Sequence, residues 1–262
     1  MKYKMNLRNG LFILVLIAGL ISLPISAQDR HTVGLYTFES ISGNVLEDLS
    51  GTGNDGEVTG AELGSGRFQK GMVFGGDLAG DFVEIPDNET IDLTDGLTVE
   101  MWLYLNADSS AGGQGVTKGS TYKVGPRSDS QAELRIATTS VAWGSAVILS
   151  EKQLSLHKWT HIAGTYDANS GEGKLYIDGV IDSEVDIGGG DIIPNDNPLW
   201  LGRGGTPFLD GRLDEVRISN IARSQSEIKQ LMNIGIAGVL SVTPTGKITT
   251  TWGKIRNASA RF

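Results

Sequence analysis

From residue 30 to residue 220 the chain alternates short apolar runs with breaks rich in Gly, Asn and Asp. Candidate strands fall at 32–38, 71–74, 82–85, 97–105, 121–124, 133–137, 146–149, 160–166, 173–177, 180–185, 199–202 and 211–219. Runs of this size at this spacing predict an all-β sandwich or barrel. The clearest hairpin is KLYIDGVIDSEV, where Asp178-Gly179 tolerates the positive φ angles of a two-residue turn. Asn54-Asp55-Gly56 is a second turn signal. One helix is predicted near the end. Ser224 and Glu227 have capping-box spacing, and Ile228, Leu231 and Met232 share a face.

The run GRLDEVRISN, 211–220, poses a chemical problem. Strict alternation puts Leu213, Glu215 and Arg217 on one face and Asp214, Val216 and Ile218 on the other. With Val216 and Ile218 in the core, Asp214 is carried inward. There a carboxylate needs an ion pair, hydrogen bonds or a metal.

The two ends of the chain read differently. Lys2, Lys4 and Arg8 precede an apolar run from Leu11 to Leu23, then Pro24 and the small pair Ser26-Ala27. That layout predicts a secretory signal peptide over 1–27, and its apolar run is short for a membrane span. The expected product is secreted or extracytoplasmic, with no membrane insertion after cleavage. Residues 28–236 are expected to form one domain. From 237 to 262 there are four basic residues and no acid, which predicts a short basic tail.

Composition then narrows the chemistry. The chain has 22 basic and 31 acidic residues, a net charge of −9. Removing the leader's three basic residues leaves 19 − 31 = −12. An acidic surface argues against nucleic acid or anionic membranes as partners, because phosphate binding needs a basic footprint. It suits neutral glycans and bound cations. With no cysteine, disulfides, thiolate metal sites and cysteine nucleophiles are excluded.

Eight phrases occur in a characteristic order: GLYTFE, VLEDLSGTGNDGEV, GMVFGGDLAGDFVEIPD, LTVEMWLYL, KWTHIAGTYD, KLYIDG, LWLG and GRLDEVRISNIARSQSEI. Together, over residues 33–232, they resemble the laminin G-like jelly-roll domains of the concanavalin A-like lectin/glucanase superfamily. The resemblance implies an antiparallel two-sheet jelly-roll sandwich with one short C-terminal helix. It implies no single activity, since the fold hosts lectins, adhesion modules and hydrolases. It also implies calcium, held by a first-strand glutamate, a loop carbonyl and a last-strand aspartate. The matching positions are Glu39, the loop at Asn54 and Asp214, and Asp48 could add a ligand.

Catalytic constellations are sparse. Glu84, Asp87 and Glu89 in EIPDNE do not share parity, and Glu100 has no acid two residues away on either side, so paired glycosidase carboxylates are not apparent. His31, His157 and His161 read as ordinary side chains, and no HExxH or GxSxG occurs. Trp102, Trp159 and Trp200 lie inside strand phrases and are expected in the core. Trp143 and Tyr122, flanked by small and polar residues, are expected to form a glycan surface with Lys118 and Arg127. The expected function is a non-catalytic binding module for carbohydrate or a glycosylated surface, with a structural calcium ion. The alternatives are an adhesion or matrix module that binds protein and a glycoside hydrolase with an unrecognised site.

Overall fold

The computed structural model describes residues 29–106, 114–205 and 208–241. The predicted leader and nearly all of the basic tail lie outside them. In chain order the strands are β1 (Thr32–Tyr36), β2 (Val45–Leu46), β3 (Gly56–Thr59), β4 (Glu62–Ser65), β5 (Lys70–Gly75) and β6 (Phe82–Ile85). They continue with β7 (Gly96–Leu105), β8 (Val116–Lys118), β9 (Tyr122–Pro126), β10 (Gln131–Ile136) and β11 (Ala146–Gln153). The last are β12 (Trp159–Asp167), β13 (Glu172–Ile177), β14 (Val180–Asp186), β15 (Leu199–Leu201) and β16 (Asp210–Ser219), followed by the helix α1 (Gln225–Ser241).

These strands form two antiparallel eight-stranded sheets, as expected of a jelly-roll sandwich. Sheet A runs β14-β13-β12-β7-β16-β5-β4, with β1 also paired to β16. Sheet B runs β11-β10-β9-β8-β15-β6-β3-β2. The inner faces meet in one core, with Val99, Met101, Leu103, Ile162, Leu175, Val216 and Ile218 from sheet A. Sheet B contributes Val83, Ile85, Val124, Leu134, Ile136, Leu199 and Leu201. Short strands β2, β3, β4 and β8 are additional to the sequence prediction; their two to four residues carry too little alternation to stand out.

Local signals placed the connections correctly. Ile177 pairs with Val180 across the Asp178-Gly179 turn, whose φ angles are +49° and +71°. Those angles suit a primed turn that follows the strand twist. Ser224 N–H donates to Glu227 Oε2 at 2.9 Å and Glu227 N–H returns to Ser224 Oγ at 3.4 Å, a capping box at the start of α1. Past residue 236, the expected domain end, α1 continues to Ser241 after a break at Gly235, where φ is +66°. The helix lies on the outer face of sheet A: Ile228 packs on Ala163 and Tyr176, and Leu231 and Ile236 pack on Leu35.

Candidate functional site

Because α1 is committed to sheet A, the outer face of sheet B carries no helix among the described residues. Its side chains follow from parity. Leu199 and Leu201 of β15 point into the core, so Trp200 between them points out. The strand register extends that position into a row across the sheet. Val45 faces Glu57, Glu57 faces Glu84, Glu84 faces Trp200, Trp200 faces Thr117, Thr117 faces Lys123, and Lys123 faces Arg135. Directly opposed side chains lie about 5 Å apart, so the row is continuous. It is also polar in sense, with acids Glu57 and Glu84 on one side of the tryptophan and bases Lys123 and Arg135 on the other.

Trp200 and the charged members are held. Trp200 Nε1–H donates to Glu84 Oε2 at 2.8 Å, and Asn44 Nδ2 donates to Glu57 Oε1 at 2.8 Å. Lys123 pairs with the buried Glu133, which also accepts from Arg135 at 3.0 Å. Burial holds the Lys123 ammonium below its usual range, against the opposing pull of Glu133. Beside Trp200, the Arg203 guanidinium lies 4.6 Å from the centre of Phe82, 5.3 Å from Trp200 and 5.6 Å from Phe208. The loop reaches this place through glycines at φ +79° (Gly202) and +122° (Gly205). A Cβ on Gly204 would sit 2.5 Å from Thr117 Oγ1, so only glycine allows the close crossing.

The predicted glycan residues divide. Trp143 is half-buried beneath Arg135, whose guanidinium is 5.6 Å from the ring centre, and so adjoins the basic end of the row. Arg127 sits in the β9–β10 turn, paired with Asp129 at 3.3 Å. Tyr122 and Lys118 do not supply the exposed surface expected of them. Tyr122 is fully buried, its hydroxyl donates to Ile91 O at 3.2 Å, and burial pushes its pKa well up. Lys118 turns inward and donates to Asp87 Oδ1 at 2.6 Å, Asn195 O at 2.8 Å and Asn197 O at 2.6 Å, with Asp92 Oδ1 at 3.2 Å. Flanking small residues marked loop ends, and a loop end can turn a side chain inward as readily as outward. Trp200, Arg203, Phe82 and Glu84 were missed as site residues. The signal was present, because the alternation in LWL already separates Trp200 from its two leucines.

The proposed metal residues also divide. Leu213 and Val216 are both in the core, three positions apart, because the register slips between Asp214 and Arg217 at Glu215, with φ +53°. This bulge corrects the simple alternation: Asp214 faces outward with its partner Trp102, beneath the β4–β5 turn. Its Oδ2 accepts the Arg67 and Phe68 amides at 2.8 and 2.9 Å, and its Oδ1 accepts the Glu215 amide at 2.9 Å. Burial nevertheless raises Asp214 to about 8, with Glu215 adding to the rise. Glu215, bonded to the Ile236 amide, is raised to about 7 by burial, and Glu39 contributes. The Glu215 charge thus bears on Asp214, and the Glu39 charge on Glu215. No group of three His, Cys, Asp or Glu side chains at metal-binding spacing occurs among the described residues. Asp48 and Asn54 belong to a different network. Asp48 accepts from Leu35 N, Ser50 N, Ser50 Oγ, Thr52 Oγ1 and Asn54 N, all within 2.7–3.1 Å. Asn54 Nδ2 donates to Val33 O at 2.7 Å, and its buried Oδ1 has no partner.

Glu100, the isolated strand acid, is enclosed on the outer face of sheet A. Its Oε1 accepts from Arg217 Nε at 2.7 Å, and its Oε2 lies 3.5 Å from His161 Nε2. Trp102, with Arg67 4.5 Å above its ring, closes this polar group together with α1. Trp102 is thus buried, though on the side of sheet A away from sheet B, whereas Trp200 lies half-buried on an outer face.

Comparison with known proteins supports this architecture. The family model of the concanavalin A-like lectin/glucanases superfamily matches residues 75–229, more than half of the chain. No curated protein matches the sequence. Among solved structures, the binding domain of Paraclostridial Mosquitocidal Protein 1 superposes with TM-score 0.62 at 21% identity, covering 78% of this chain and 52% of that one. Domain 4 of AbnA, a GH43 extracellular arabinanase from Geobacillus stearothermophilus solved with arabinotriose, gives 0.61 at 20% identity, covering 77% and 98%. Trypanosoma rangeli sialidase gives 0.58 at 18% identity, covering 82% and 34%. The chain thus spans about half the length of the mosquitocidal binding domain it matches. At such identities the likeness is one of fold. With its two-sheet sandwich and the family match over residues 75–229, this chain belongs to the concanavalin A-like lectin/glucanases superfamily.

Proposed function

We propose that the chain is an exported, non-catalytic carbohydrate-binding module that lays a glycan, free or on a glycoprotein, along the outer row of sheet B. The carrying observation is the half-buried Trp200, fixed by Glu84 and flanked by Thr117, Arg203 and Phe82, on a face that no helix covers among the described residues. An amphipathic ring between polar groups of both signs is what sugar stacking and hydroxyl recognition require. The structural neighbour solved with arabinotriose supports the same reading. Export rests on the basic, apolar and small-residue sequence of 1–27, with the folded module running through α1 to Ser241 and the later basic residues as a tail.

Calcium is part of the proposal. Of the residues expected to hold it, Glu39 and Asp214 remain, while Asp48 and Asn54 keep their own network. The ion would offset the charge that Glu215 places beside Asp214. Enclosure of Glu100 by Arg217 supports the absence of hydrolysis. A second reading, adhesion to protein, is favoured by Val180 and Val185, 49% and 43% exposed on the edge strand β14. Glycan-array binding by wild type and Trp200→Ala separates the two. Loss of glycan signal in the variant supports the sheet B row, whereas an array that is silent for wild type leaves protein adhesion.

A further inference from the structure

We infer that Arg203 selects glycans bearing an oxyanion, a carboxylate or a sulfate ester, at the centre of the sheet B row. The inference rests on the carbohydrate reading above and deepens it.

Four arginines, Arg127, Arg135, Arg217 and Arg223, pair with carboxylates. Arg203 pairs with none among the described residues, in a chain where acids outnumber bases by 31 to 22. Its contacts are with ring faces: Phe82, Trp200 and Phe208. A guanidinium held over ring faces can present its edge N–H groups to a ligand, and that edge is the fork that fits a carboxylate or sulfate. The rings also fix its direction, which removes much of the entropy a flexible surface arginine would lose on binding. Arg67 lies over rings too, but it closes over the buried Trp102 on the opposite sheet.

A second, independent observation lies next to it. Thr117 is Trp200's cross-strand partner, 2% exposed, and its Oγ1 is buried without a hydrogen-bond partner. Gly204 crosses directly above it. A buried hydroxyl without a protein partner is one that a bridging water under the Gly204 crossing would satisfy. The sense of the row then orients the ligand. Glu57 and Glu84 repel an anion from one end, while Lys123 and Arg135, though paired with Glu133, keep the other end basic. Arg203, over Phe82 of β6 and Trp200 of β15, is the base closest to the tryptophan and offsets the neighbouring Glu84 there.

The test uses the full chain on an array of matched neutral, uronic-acid, sialylated and sulfated glycans, with Arg203→Gln and Arg203→Lys alongside. Expected is at least tenfold tighter binding of one acidic class over its neutral counterpart. The class that binds distinguishes carboxylate from sulfate. Arg203→Gln should erase that preference with an unchanged melting temperature, and Arg203→Lys should restore only part of it. Binding confined to neutral glycans, or an equal loss on both in Arg203→Gln, overturns this inference and leaves the carbohydrate reading standing. Silence on every glycan overturns both.

Discussion

Trp200 and Glu84 are joined across neighbouring strands by an indole N–H to carboxylate bond of 2.8 Å. The bond fixes the ring on the outer face of sheet B, where its removal opens no core cavity. Trp200→Ala should therefore lower glycan affinity about tenfold or more, about 1.4 kcal/mol, with only a small change in melting temperature. Calorimetric titration against the best array ligand measures the first and thermal melting the second. A folded variant with wild-type affinity would remove the row from the binding site.

The acids of β16 predict an unusual pH dependence. Asp214 is raised to about 8 and Glu215 to about 7, both by burial. A raised carboxyl pKa means the fold prefers the protonated form, so its stabilisation is complete below about pH 4 and is lost as pH rises through 7 and 8. In chelator, the melting temperature should fall steadily between pH 5 and 8.5. Excess calcium at pH 8 should restore it. A flat chelated profile contradicts the burial of these acids, and no calcium shift at pH 8 ends the calcium proposal.

Glu215→Gln separates those effects. The amide oxygen still accepts from Ile236 N–H, while the charge is gone. The variant should be more stable than wild type at pH 8 in chelator and should respond less to calcium. A calcium shift as large as that of wild type would place the ion elsewhere.

Glu100 and Arg217 are a buried pair, so truncating either leaves a charge unpaired. Arg217→Ala should cost about 3–5 kcal/mol by denaturant unfolding. Wild type and Glu100→Gln should release equal, background amounts of reducing sugar from mixed polysaccharides. Release by wild type that Glu100→Gln abolishes would make the protein a hydrolase.

Lys118 is fully buried, and its ammonium binds the carbonyls of Asn195 and Asn197 and the Asp87 carboxylate. Lys118→Met should cost about 3 kcal/mol or more, because Asp87 and Asp92 lose their counter-charge. A cost below about 1 kcal/mol would match an exposed pair instead.

Much of this was legible in the residues. The Asp178-Gly179 turn, the Ser224–Glu227 capping box and the hydrophobic alternation of β7, β12 and β16 each act within a few positions, so local chemistry names them. The site was only partly legible. Parity separates Trp200 from Leu199 and Leu201, but nothing nearby in sequence places Arg203 over Phe82, more than a hundred residues earlier.

The chain alone thus specified an antiparallel two-sheet sandwich with a capped helix, because turn chemistry, caps and period-two patterning are properties of neighbours. Folding decided which outer face α1 would cover, where β16 would bulge and which loop ends would turn inward. The bulge at Glu215 moved Asp214 out of the core, and long-range pairing of strands put Glu84, Trp200, Thr117 and Lys123 in one line. Alternation tells two faces of a strand apart, but only contact between distant strands determines which face meets solvent and what stands beside each residue there.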